Sequence, residues 1–130
     1  MRHDNRGFTL IELLIVVVII GILAAIAVTN FANSKERAMV AAMKTDLRNL
    51  VSAEEAYFSN AQTYYGGAVP NAAMPFDASQ NVTITLSSVS SSGWSAEATH
   101  TYTPKTCAIF MGTATPVAPA TVEGRVACTQ

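Results

Sequence analysis

Hydrophobic side chains follow three successive patterns along this chain. The stretch Leu13 to Val28 holds no charged or strongly polar residue. Together with Phe8 to Glu12 it makes a run roughly 30 Å long as an α-helix, at about 1.5 Å per residue, which matches the hydrocarbon core of a bilayer. A buried strand is far shorter, so the pattern predicts a membrane-spanning helix with one anomaly, the acid Glu12. From Ser34 to Asn60 there is no Gly or Pro, and good helix formers dominate. Val40, Met43, Leu47, Leu50 and Tyr57 recur at helical spacings and form one apolar stripe. The charges Lys35, Glu36, Arg37, Lys44, Asp46, Arg48, Glu54 and Glu55 fall mostly off that stripe. One long helix from about Phe8 to about Asn60 is expected, apolar all round in its first half and amphipathic in its second.

The third pattern is alternation. Tyr64-Tyr65-Gly66-Gly67 and Pro70-Asn71 mark a loop that runs to about Gln80. In Asn81 to Ser87, Val82, Ile84 and Leu86 alternate with polar residues, as in a half-buried strand. Ser90 to Gly93 reads as a turn, and Trp94 to His100 as a second, antiparallel strand. Thr106 to Met111 is a third and more continuously apolar strand, Pro116 and Pro119 break the chain, and Arg125 to Cys128 returns toward the third strand if the two cysteines join. The expected fold class is α+β: a long N-terminal helix whose amphipathic half packs on a small antiparallel sheet. The expected divisions are 1–7, 8–30, 31–60 and 61–130.

Composition narrows the chemistry. The net charge is −1, so electrostatics give no case for nucleic-acid binding. From Tyr57 onward Asp77, Glu97, Lys105, Glu123 and Arg125 are the only charges in a Ser-, Thr-, Ala- and Gly-rich segment. Such a weakly hydrated surface suits a protein packed against copies of itself. Cys107 and Cys128 have no His nearby and form no C-x-x-C pair, which argues against zinc and against a thioredoxin-type motif. Free buried thiols and a disulfide both remain open on spacing alone. The serines Ser87, Ser88, Ser90, Ser91 and Ser92 lack a nearby His or Asp motif, and His100 stands alone on its strand, so neither an enzyme nor a metal site is expected. Asn81-Val82-Thr83 matches a glycosylation sequon of a kind common by chance. Tyr57, Phe58, Tyr64 and Tyr65 read as packing at the helix end. No phosphate-binding loop is present, and no cofactor is expected.

The segment Arg6-Gly7-Phe8-Thr9-Leu10-Ile11-Glu12-Leu13, set directly before the apolar run, resembles the class III signal of type IV pilins and the related pseudopilins. The resemblance extends more loosely through the amphipathic helix, the sheet and the C-terminal cysteines. It implies that a prepilin peptidase cuts between Gly7 and Phe8 on the cytoplasmic side and methylates the new Phe8 amine. It also implies a single-pass inner-membrane precursor with its N-terminus in the cytoplasm. The mature subunit is then extracted into a helical homopolymer on the cell surface. Assembly would draw on a membrane platform and its ATPase, and no small-molecule substrate is implied. Export makes a Cys107–Cys128 disulfide the better reading, and closing a loop of about twenty residues stabilises by roughly 3 kcal/mol. Thr29 stands where many pilins carry a helix-bending Pro, so the resemblance leaves open whether the helix unwinds near Gly21. Gly21 still weakens the helix by about 1 kcal/mol relative to Ala.

Glu12 has a physical role to fill. A charged acid at mid-bilayer costs about 3 kcal/mol on insertion scales, less near the interface. A free amine at Phe8 has a pKa of about 7.7 to 8 and is mostly protonated near neutrality. Glu12 of one subunit is therefore expected to neutralise the Phe8 amine of a neighbour and set the register of assembly, in preference to snorkelling or pairing with its own amine. Three rivals to a major pilin remain in view. One is a type II secretion pseudopilin, which usually lacks the cysteine pair and tends to carry an acidic calcium site. Another is a minor pilin. The third is a soluble secreted domain released by cleavage at Ala25-Ile26-Ala27.

Overall fold

The computed structural model describes residues 7–130 of the chain. The expected leader, 1–7, therefore lies outside the described residues except for Gly7. Two compact units are defined, Met1–Lys35 and Glu36–Gln130, and the division falls inside the helix.

Helix α1 is Leu10–Ala61, 52 residues long. It starts two residues later than the hydrophobic run suggests, because Gly7 to Thr9 are not helical. The helix is continuous through Gly21 and through position 29. It stops one residue beyond Asn60, where Gln62 adopts a left-handed φ of 56° and its N–H closes on the Phe58 carbonyl at 2.9 Å. In the first unit the side chains from Leu10 to Val28 are exposed, and this stretch of helix is long and apolar enough to cross a membrane with none of it buried.

The second unit is the amphipathic half of α1 with a four-stranded sheet in the order β1-β2-β3-β4. The strands are β1 Val82–Ser87, β2 Gly93–His100, β3 Thr103–Gly112 and β4 Ala127–Cys128, and each pair is antiparallel. This is the α+β arrangement expected. Gly93 and Gly112 face each other at the end of the β2–β3 pair. A Cβ on Gly93 would collide with the Met111 carbonyl, and one on Gly112 with that of Ser92, so the close approach there requires glycine. Strand β3 begins at Thr103, earlier than its apolar stretch suggests, and includes the exposed Pro104.

The main core joins the helix stripe to one face of the sheet. Met43, Leu47 and Leu50 are wholly buried with Ile84, Trp94, Ala96, Ala98, Cys107 and Ile109, and Val40 and Tyr57 pack at its margins. The strand register puts Ile84 beside Ala98, which lies beside Cys107, and Leu86 beside Ala96, which lies beside Ile109. Small residues on central β2 leave room for the larger helix side chains.

Two features depart from the sequence expectation. Asp46 and Glu54, placed with the charges off the stripe, are both buried, at 3% and 0% exposure. Glu54 fills the gap between Leu50 and Tyr57 on the stripe itself. Both acids bind loop backbone: Asp46 accepts from Ser79 N–H and Oγ at 2.8 and 2.9 Å, and Glu54 Oε2 accepts from Tyr65 N–H at 2.8 Å. They hold the loop that follows the helix against its flank. The second departure is a separate cluster of Ala108, Phe110 and Ala120, with Val117 packed against it. The Pro-rich segment after β3 covers the sheet's other face. Strand β3 is buried on both sides, which is why its apolar run does not alternate.

Candidate assembly site at the helix start

Thr9 precedes the first helical residue, and Glu12 lies in the first turn. Thr9 N–H donates to Glu12 Oε2 at 2.8 Å and Thr9 Oγ1–H to the same oxygen at 2.7 Å. In return Glu12 N–H reaches Thr9 Oγ1 at 3.3 Å. This is a capping box: the hydroxyl satisfies one free helix N–H, and the acid reaches back to the cap residue. The first main-chain helical bond runs from Leu13 N–H to the Thr9 carbonyl at 3.2 Å. The carboxylate is also favourably placed at the positive end of the helix dipole. Thr9-Leu10-Ile11-Glu12 has the spacing of a capping box, a signal in the sequence that points to Thr9 as well as to Glu12.

The cap holds Glu12 at a fixed point in the first turn, and among the described residues its second carboxylate oxygen has no hydrogen-bond partner. Phe8, immediately before the cap, is 86% exposed. A Cβ added to Gly7 would meet nothing within 4 Å among the described residues.

Away from the helix start, Cys107 and Cys128 are joined by a disulfide and are register partners in β3 and β4. The cross-link spans 21 residues of sequence. Reducing it is expected to destabilise the second unit by about 3 kcal/mol, read as a lower urea midpoint with reductant than without. His100 accepts a hydrogen bond at Nδ1 from Tyr102 N–H at 3.2 Å, which serves the β2–β3 turn. Among the described residues no group of three or more His, Cys, Asp or Glu side chains is placed to hold a metal ion. Tyr57 and Tyr65 meet edge to face, with ring centroids 5.3 Å apart, and Phe58 lies 4.7 Å from Tyr64. These contacts pack the post-helix loop onto the helix end.

Glu54 is the titratable group that burial disturbs most clearly. Desolvation pushes its pKa up, opposed by the Tyr65 N–H, and the neighbouring Glu55 charge adds to the rise. Its Oε1 has no hydrogen-bond partner among the described residues. A raised folded-state pKa means that the folded chain holds this proton more tightly than the unfolded chain. The contribution of Glu54 to stability is therefore fullest below the ordinary glutamate range and falls as pH rises through the raised value. Glu54→Gln is expected to flatten that fall, measured as unfolding midpoints across the same pH range. An unchanged slope in the variant would assign the dependence to another group.

Residues 2–28 match the family described as the prokaryotic N-terminal methylation motif. The match covers the helix start and the apolar half of α1, and the sheet of the second unit lies outside it. Among curated proteins, the type IV major pilin protein PilA of Myxococcus xanthus is 53% identical over 60 residues, covering 46% of this chain and 27% of that protein. The type II secretion system core protein G of Pseudomonas aeruginosa is 41% identical over 56 residues, covering 43% of this chain and 39% of that protein. The type IV major fimbrial protein FimA of Dichelobacter nodosus is 46% identical over 55 residues, covering 42% and 35%. The chain spans less than two-fifths of the length of each of these relatives.

Proposed function

We propose that this chain is the precursor of a structural subunit of a type IV pilus. In this reading residues 1–7 are a leader removed after Gly7, Phe8 becomes the N-methylated first residue, and the mature chain polymerises into an extracellular filament for adhesion, twitching motility or DNA uptake. The observation that carries it is the methylation motif over 2–28 joined to a helix whose apolar side chains from Leu10 to Val28 are exposed and in which Glu12 is the only charge before Lys35. Before assembly the apolar half of α1 anchors the subunit in the inner membrane. Afterwards it packs in the filament core. Lipid and a bundle of identical helices are both apolar, so the transfer costs little hydrophobic energy. Gly21, Ala24, Ala25 and Ala27 permit close approach of neighbouring helices. A Cβ at Gly21 meets nothing within 4 Å in the isolated chain, which fits a glycine kept for a neighbour. A contact between unlike faces of successive copies propagates into an open helical fibre. Glu12 of each subunit neutralises the Phe8 amine of the next. The prepilin peptidase, the membrane platform and the assembly ATPase are the partners this route requires.

The second reading is a pseudopilin of a type II secretion system, supported by the similarity to core protein G. The disulfide and the scattered acids of the second unit favour the pilin. The intact mass of protein sheared from the cell surface, with and without reductant, tests the proposal. A mass that begins at N-methyl-Phe8 and gains two hydrogens on reduction is expected. A chain that begins at Val28 would mean an ordinary secreted domain, and a chain retained in the periplasm would favour the pseudopilin.

A further inference from the structure

Within the second unit the seven acids outnumber the five bases. Two of those bases nevertheless line one cleft of about 290 Å3, Lys44 from α1 and Arg125 from the segment leading into β4. The other walls are Thr121, Val122, Val126 and Cys128, with Ala127 between the last two, and no carboxylate lines the cleft. Neither Lys44 nor Arg125 has an ion-pair partner among the described residues. On an acidic unit, a cleft lined by two cations and no acid offers both positive charges to a bound anion.

We propose that this cleft binds a small oxyanion of the phosphate-monoester class. The two cations match a group that carries about −1.5 to −2 charges at neutral pH. Arginine offers a planar fork of donors suited to two oxygens of one phosphate, and lysine supplies a compact point charge. The Thr121 hydroxyl is a third donor along the same wall. One wall is held in place: Cys128 is tied to β3 through the Cys107–Cys128 disulfide, and Lys44 is half-buried on α1. A fixed wall lowers the ordering cost of binding. At about 300 Å3, the cleft is at the small end of ligand pockets, which suits a phosphate with a compact organic group. The assignment does not depend on the filament proposal.

The test uses the full chain in dodecyl maltoside micelles at neutral pH, titrated with inorganic phosphate and, in parallel, with glycerol 2-phosphate. Sodium chloride at matched ionic strength is the reference. Saturable amide NMR shifts are expected at Lys44, Thr121 and Arg125 through Cys128. Lys44→Gln and Arg125→Gln should each weaken binding about tenfold, the effect of losing one charge-assisted hydrogen bond. Lys105→Gln, which alters a base outside the cleft, should bind like the unaltered chain. Tighter binding of the monoester would assign the site to an esterified phosphate, and equal binding to the free ion. Shifts that do not saturate, or that persist unchanged in both cleft variants, would overturn the proposal.

Discussion

Replacing Glu12 with Val is expected to leave membrane insertion and the folded second unit intact while abolishing the proposed filaments. The insertion half of that expectation follows from removing an acid that costs up to about 3 kcal/mol in a bilayer. The assembly half follows from the Phe8 amine of each incoming subunit, which would enter an apolar bundle with no anion to meet it. The capping box adds a second possible cause, because Val also breaks the bonds with Thr9. Glu12→Gln separates the two. Glutamine can close the capping box but carries no charge, so a filament defect in both variants assigns the role to charge. Filaments from Gln but not Val would assign it to the cap. Normal yield from the Val variant, counted by electron microscopy of sheared material, would remove Glu12 from the assembly mechanism.

Trp94→Ala is expected to destabilise the second unit by about 3–5 kcal/mol, a large share of the stability of a small domain. Trp94 is wholly buried on central β2, opposite Met111 and 6.4 Å from the Tyr64 ring. Its removal opens a cavity beneath the stripe of α1 and loosens the loop that Tyr64 and Tyr65 pin to the helix. Trp94→Phe should cost much less. The indole N–H has no hydrogen-bond partner among the described residues, so the smaller ring also removes an unsatisfied donor. Chemical unfolding of both variants, followed by circular dichroism in detergent, checks the order. Equal losses from Ala and Phe would mean that the indole N–H makes a bond that matters.

Much of this architecture is legible in the chain because its dominant patterns are strong and local. A run of apolar residues from Leu13 to Val28 leaves few alternatives to a spanning-length helix. Met43, Leu47 and Leu50 are the stripe residues found wholly buried, and Val82, Ile84 and Leu86 turn the same face of β1 to the core. The burial of Asp46 and Glu54 is harder to read, since a charged residue at helical spacing is normally assigned to solvent. Their partners, Ser79 and Tyr65, are 33 and 11 residues away in sequence, and only the folded loop brings them to the helix. The seven-residue interval between Leu50 and Tyr57 held the clue, because its midpoint on the stripe is Glu54. The second cluster behind β3 was hidden for a similar reason. Continuous apolarity in β3 signals burial on both faces but does not identify Val117 and Ala120 as the cover. At the helix start the attention drawn by the acid obscured its neighbour: Thr9 is as much a part of the local structure as Glu12. Boundaries moved by one to three residues where caps and glycine geometry, rather than periodicity, end an element.

The two-sided burial of β3 gives the sheet an uneven tolerance for change. On β1, Thr83 and Thr85 face solvent and tolerate replacement by other small polar residues, whereas the exposed Ser87 is held by a hydroxyl contact of 3.0 Å with buried Ser95. On β3, Cys107, Ala108, Ile109 and Phe110 are buried in unbroken succession, so each position is confined in size as well as polarity. Drift among related chains should therefore run freely along the β1 margin of the second unit and stall at the strand beside β4. A surface that must vary while its scaffold persists has its permissive ground on the β1 side.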